Sequence, residues 1–136
     1  MNSKKFIIHT DGGARNNPGP AGIGCVLCDE KKSVIKEISE YIGETTNNQA
    51  EYRAVLRAIE EAKKLGAEEL EFYLDSELIV RQLKREYKVK NKELAPLFVK
   101  IYNLSQQFKK ITFTHVRREF NKEADRLVNE AIDRGA

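Results

Sequence analysis

Cysteine is nearly absent from this chain of 136 residues, which has only Cys25 and Cys28. A lone C-x-x-C offers two thiolates, too few for a structural zinc unless His9 or His115 converges on them. Its simpler reading is two small residues in a buried strand. No apolar run approaches the about 18 residues that would span a bilayer. Met1 to Lys5 lead straight into a strand-like stretch, with no signal-peptide core ahead of it. Sparse cysteine and no export signal lead us to expect a cytoplasmic protein. Neither of the two histidines lies in a motif suited to a Ser-His-Asp triad. No G-x-x-x-x-G-K-[ST] and no G-x-G-x-x-G occurs, which removes the common nucleotide-phosphate loops. An excess of one charge is also lacking. Lys and Arg total 24 against 21 acids, a net charge of +3 that permits a polyanionic partner without arguing for one. No internal repeat, low-complexity tract or linker is visible, and the length suits one domain, residues 1–136.

Proline and glycine are concentrated where they are present. Residues 11–22 (DGGARNNPGPAG) hold four of the eight glycines and two of the three prolines, which predicts a structured turn. Around it, Lys4 to Thr10, Ile23 to Leu27 and Val34 to Ile42 read as strands, and their short connections predict an antiparallel meander. The period then changes. Thr46, Asn47 and Asn48 form an N-cap cluster, and Val55, Ala58, Ile59, Ala62 and Leu65 follow helical spacing until Gly66. Leu70 to Leu74 predicts a fourth strand and Glu77 to Lys84 a short helix. A further helix starts near Pro96 and runs through Phe108. Ile111 to Val116 predicts a fifth strand, and Asn121 caps a final helix. The order β-β-β-α-β-α-α-β-α implies an α/β fold with one mixed five-stranded sheet and helices on its faces. Strands 1–3 would be antiparallel and strands 1, 4 and 5 parallel.

Ligands in open α/β sheets collect beyond the carboxyl ends of the parallel strands. Asp11 is expected just after strand one and Asp75 just after strand four. Glu51 lies one turn before Val55 and two before Ile59, on the inward stripe of its helix. Asp125 lies near the edge of the apolar stripe formed by Val128 and Ile132. Each acid also has an ordinary structural reading. Asn48-x-x-Glu51 has capping-box spacing, and Asp125 suits the dipole of a first turn. Asp11 beside two glycines is a common turn composition, and Asp75-Ser76 is an ordinary cap pair. Jointly, two strand ends and two helix first turns could open onto one edge of the sheet. Clustered carboxylates repel and raise one another's pKa, and hard divalent cations relieve this. Mg²⁺ fits best, and two ions about 4 Å apart form a clamp for in-line phosphoryl transfer.

These residues resemble type 1 ribonuclease H, in a form lacking the basic protrusion. Asp11-Gly12-Gly13-Ala14-Arg15-Asn16-Asn17-Pro18-Gly19 is similar to the family's first motif and Thr46-Asn47-Asn48-Gln49-Ala50-Glu51-Tyr52 to its second. Asp75-Ser76 and Asn121-Lys122-Glu123-Ala124-Asp125-Arg126-Leu127 are similar to the third and fourth. The resemblance spans Lys4 to Ile132. It implies a ribonuclease H-like fold and endonucleolytic hydrolysis of the RNA strand of an RNA–DNA hybrid. It also implies Mg²⁺ or Mn²⁺ held by Asp11, Glu51, Asp75 and Asp125, and products with 3′-hydroxyl and 5′-phosphate ends. By the same resemblance, Gly12, Gly13, Asn17, Asn47 and Asn48 face the minor groove, with Thr46 and Ser76 as further substrate contacts. A carboxamide both donates and accepts, which is what reading a 2′-hydroxyl requires.

Residues 81–92 carry six basic side chains against one acid, Glu86, and Lys88 and Lys90 lie among them as candidates for phosphate contact. The other reading of this stretch is a solvated helix end and loop. Many family members have a histidine in a mobile loop ahead of the last Asp, credited with helping product release. Here that loop, Arg117-Arg118-Glu119-Phe120-Asn121, has none. Arg118 or Glu119 is the substitute to consider, whereas His115 is expected to be a strand residue and His9 to pack. Three rival readings stand beside the hydrolase: a non-catalytic hybrid-binding module, a same-fold nuclease acting on double-stranded RNA or DNA, and a metal-independent ribonuclease using His9 and His115. No membrane association and no obligate protein partner is inferred, and a monomer is expected.

Overall fold

The computed structural model describes residues 4–135. Three strands open the chain: β1 (Lys5–Ala14), β2 (Gly19–Cys28) and β3 (Val34–Thr45). Helix α1 (Asn47–Lys64), strand β4 (Glu69–Leu74) and helix α2 (Glu77–Leu83) follow. The chain continues through α3 (Ala95–Ser105), β5 (Lys110–His115), a 3-10 turn at Arg118–Phe120 and α4 (Lys122–Gly135). The strands form one sheet in the order β3-β2-β1-β4-β5. The β1–β2 and β2–β3 pairs are antiparallel, whereas β1–β4 and β4–β5 are parallel. This is the mixed α/β sheet that the alternation of elements predicts.

Helix α1 covers β1 and β2, with α3 behind it. Its buried stripe of Ala54, Val55, Ala58, Ile59 and Ala62 joins Phe6, Ile8, Phe72 and Leu74 in the main core. Helix α4 lies on β2 and β3 and buries Ala124, Leu127, Val128, Ala131 and Ile132. Two glycines make both approaches possible. A Cβ on Gly12 would collide with the Ala50 carbonyl of α1, and one on Gly24 with the Ala124 carbonyl of α4. Gly24 pairs with Asp11 and Gly12 with Ile23, so these glycines thin opposite faces of the same strand pair.

One expectation is corrected here. The glycine- and proline-rich stretch is not a turn from Asp11 to Gly22. β1 continues through Asp11-Gly12-Gly13-Ala14, β2 begins at Gly19, and only residues 15–18 turn. Glycine serves here for close approach to helices, a use that composition does not separate from turning. Smaller differences lie at element ends. β3 runs to Thr45, α3 stops at Ser105, and β5 covers Lys110–His115. Cys25 is buried and its thiol donates to the Ala54 carbonyl at 3.3 Å, while Cys28 pairs with Ile7 and lines a cavity beside Ala124. The two thiols thus face opposite sides of the sheet, and both are free. Among the described residues, no helix is long and apolar enough to cross a membrane.

Candidate active site

Asp11 lies within β1, three residues before its end, and Asp75 is the first residue after β4. Because β1 and β4 are parallel neighbours, both carboxylates emerge toward the same end of the sheet. Helix α1 brings the third acid. Its N-cap is Thr46, whose hydroxyl accepts from the Gln49 amide at 3.2 Å, so Glu51 lies beyond the first turn and plays no part in capping. This removes the Asn48-x-x-Glu51 capping-box reading. Gly12 then lets β1 run against the backbone of Ala50 and Glu51. As a result, one carboxylate oxygen from each of Asp11, Glu51 and Asp75 lies within 4.8 Å of the others. Asp125, in the first turn of α4, is not part of this three-way group but interacts with Asp11 by charge and hydrogen bonding.

Burial and mutual repulsion govern the electrostatics. Asp11 is only 8% exposed, and burial, then the Asp75 and Asp125 charges, push its pKa up to about 8. The Gly12 amide, donating to Asp11 Oδ1 at 3.0 Å, opposes part of that rise. Burial followed by Asp11 and Asp75 pushes Glu51 up to about 9, with Arg118 pulling the other way. Without a cation these groups hold protons at neutral pH. An all-carboxylate oxygen set at this spacing is a hard donor set of the kind that Mg²⁺ and Mn²⁺ take.

The acids open into a cleft of about 460 Å³ also lined by Gly12, Gly13, Asn47, Asn48, Ser76 and Arg118. Several polar side chains in and beside it already have their oxygens engaged. Asn47 Oδ1 accepts from the Ala14 amide at 2.7 Å, and Asn17 Oδ1 accepts from the Asn47 amide at 2.9 Å. Ser76 accepts from the Ile79 amide at 3.3 Å as the cap of α2. Asn17 and Asn47 thereby pin the 15–18 turn to the start of α1, and the side-chain N–H and O–H donors of Asn17, Asn47 and Ser76 are not used in these bonds. Among the described residues, the exposed Asn48 carboxamide has no partner, so it alone of the three asparagines keeps both functions fully free.

Other expected residues fall elsewhere. Thr46 and Asn17 do not line the cleft; Thr46 caps α1, and Asn17 is bonded to the amide of the cleft residue Asn47. Glu119 lines a different cavity, with His9, Cys28, Phe120 and Asn121. His115 ends β5, exposed, beside Glu77, Arg81 and Lys84, and does not line the cleft. His9 is half-buried and stacks on Tyr73 with ring centroids 5.1 Å apart, and burial lowers its pKa. The two histidines therefore line separate cavities. Lys88 and Lys90 are exposed on the 84–94 connection and do not line the cleft. Sequence reading missed Arg15 and Asn129, which line the cleft, because neither belongs to an apolar stripe or an acidic pattern. It also read Asn121 only as a helix cap. Its carbonyl does accept from the Asp125 amide at 3.1 Å, but its side chain reaches inward. Asn121 Nδ2 donates to the Thr10 carbonyl and to Asp75 Oδ2, each at 2.9 Å.

Comparison with known proteins bears on this geometry. Residues 9–131 match the family described as reverse transcriptase-like. A ribonuclease H of Chlorobium phaeobacteroides is 32% identical over 145 residues, covering 95% of this chain and 96% of that protein. The chain belongs to the type 1 ribonuclease H family. A bifunctional protein of Mycobacterium tuberculosis is 43% identical over 133 residues, 97% of this chain, yet this chain spans only 36% of its length. The crystal structure of LC11-RNase H1 with an RNA/DNA hybrid superimposes with a TM-score of 0.92 at 51% identity, covering 96% of this chain and 98% of that one. This family member has 11 residues between α2 and α3, from Lys84 to Leu94, with no intervening helix. Its 3-10 turn puts Arg118, not a histidine, into the cleft beside Glu51.

Proposed function

We propose that this chain is a metal-dependent endonuclease that hydrolyses the RNA strand of RNA–DNA hybrids, leaving 3′-hydroxyl and 5′-phosphate ends. The observation that carries the reading is the convergence of Asp11, Glu51 and Asp75 oxygens within 4.8 Å, with the first two strongly raised in pKa by burial. Such a trio is unfavourable unless a hard cation is its customary companion. Asp11, which interacts with both the trio and Asp125, would contribute to holding two Mg²⁺ or Mn²⁺ ions, with Glu51 and Asp75 helping to hold one and Asp125 the other. When bound, the ions supply Lewis acidity to the attacking water and to the leaving oxygen.

The chain's own residues bind and orient the substrate. The side-chain donors of Asn17, Asn47, Thr46 and Ser76 suit phosphate oxygens and the lone pairs of a 2′-hydroxyl, and Asn48 can donate and accept toward the same hydroxyl. Gly12 and Gly13 let a ribose come close to the backbone. Arg118 supplies positive charge at the cleft, and Lys88 and Lys90 extend phosphate contact beyond it. The unit acts as a single domain, residues 1–136, as a monomer in the cytoplasm.

Matched hybrid, double-stranded RNA and double-stranded DNA substrates, each incubated with Mg²⁺ with and without chelator, test this. Cleavage of the hybrid alone, abolished by chelator and giving 5′-phosphate ends, is expected. Asp11→Asn and Asp75→Asn should each abolish cleavage while sparing hybrid binding. Chelator-resistant cleavage with cyclic-phosphate ends would sink the proposal, and equal cleavage of double-stranded RNA would broaden the substrate.

A further inference from the structure

We infer that Asn121 is a positioning residue that holds the Asp75 carboxylate in its metal-binding orientation, an inference that rests on the proposed metal site. Asn121 is 1% exposed. Both hydrogens of its Nδ2 are used, one on the Thr10 carbonyl of β1 and one on Asp75 Oδ2. Its main chain is tied on both sides, with its amide donating to the Arg118 carbonyl and its carbonyl accepting from the Asp125 amide. One residue therefore joins the strand carrying Asp11, the carboxylate of Asp75 and the helix turn carrying Asp125.

Asp75 needs such a partner. It lies just past the end of β4, and the Asn121 amide is its only side-chain hydrogen-bond donor among the described residues. The Thr10 carbonyl fixes the plane of the carboxamide, so the second hydrogen meets Oδ2 in one direction and leaves Oδ1 for an ion. The donor is neutral. A lysine or arginine here would orient Asp75 equally well but would compete with the cation for its charge.

Calorimetric titration of Mn²⁺ into the full chain without nucleic acid, compared between wild type and Asn121→Ala, tests the inference. Mn²⁺ affinity should fall about tenfold in the variant, and kcat on hybrid by a similar factor, while KM for hybrid stays within about twofold. Loss of Mn²⁺ binding in Asp11→Asn separately checks the metal site, so failure of that site and failure of the Asn121 role are distinguishable. Wild-type Mn²⁺ affinity and kcat in a folded Asn121→Ala chain would overturn the inference. A second measurement needs no variant. The Asn121 side-chain NH₂ should exchange slowly with solvent and shift on Mg²⁺ addition, unlike that of the exposed Asn48. Exchange as fast as Asn48, with no Mg²⁺ shift, would equally overturn it.

Discussion

Replacing Asp11 by asparagine should stabilise the metal-free protein while destroying its chemistry. In the native fold burial and the neighbouring acids push Asp11 up to about 8 from an ordinary value of 3.8. A carboxyl whose folded pKa is raised contributes stability fully present below the unfolded pKa and lost as pH climbs through the folded one. At about pH 7 the unfolded chain has ionised Asp11 and the folded chain has not, roughly three pH units above the unfolded pKa. Each unit corresponds to about 1.4 kcal/mol, giving a ceiling of about 4 kcal/mol. Shared protons within the cluster and the loss of the Gly12 hydrogen bond reduce this, so about 2 kcal/mol is expected for Asp11→Asn. For a domain of this size that is a rise in Tm of about 6 °C or more. The advantage should grow between about pH 4 and about pH 8, since the wild-type penalty accumulates from the unfolded pKa to the folded one. Thermal unfolding in chelator at a series of pH values measures it directly. A variant no more stable than wild type at the alkaline end, or a difference that does not change with pH, would refute the reasoning. Added Mg²⁺ should raise the Tm of wild type and leave the variant nearly unmoved.

The same raised carboxyls make metal binding release protons, so Mg²⁺ affinity should climb with pH up to about 9 and calorimetric heats should vary with the ionisation enthalpy of the buffer. Gly12→Ala should lower stability by about 3 kcal/mol and abolish cleavage, because the new Cβ meets the Ala50 backbone and pushes Glu51 from Asp11; chemical denaturation and a cleavage assay read both effects. Asn47→Ala removes the acceptor of the Ala14 amide, and should cost about 1–2 kcal/mol in denaturation while raising KM for hybrid. Replacing Lys88 and Lys90 together by alanine should leave kcat intact and reduce the salt dependence of hybrid binding by about one to two ions, measured by binding across ionic strength.

Much of the fold was legible because periodicity reports burial. The apolar spacing from Val55 to Ala62 and from Ala124 to Ile132 defined two helices, and their alternation with strands required parallel crossovers. Asp75 at a strand end and Glu51 on an inward stripe followed from the same patterns, and the motif resemblance joined them to Asp11 and Asp125. The glycine-rich stretch misled because glycine permits both turns and close packing, and only the helices resting on Gly12 and Gly24 distinguish the two uses. Likewise Thr46, not Asn48, caps α1, a choice within a cluster of three polar residues that backbone geometry makes.

The chain order alone determined that Asp75 follows a strand, that Glu51 lies on an inward helix stripe and that Asp125 lies in a first turn, because those places depend on periods of two and 3.6 residues that local chemistry sets; it placed Asp11 after a strand that in fact runs through it. Tertiary structure decided which of them meet. The 4.8 Å grouping of three carboxylates, the exclusion of Glu119 and His115 from the cleft, and the inward reach of Asn121 to Asp75 all depend on how α1 and α4 settle against β1 and β2. Such contacts join residues as far apart as Thr10 and Asn121, and only long-range packing places them together.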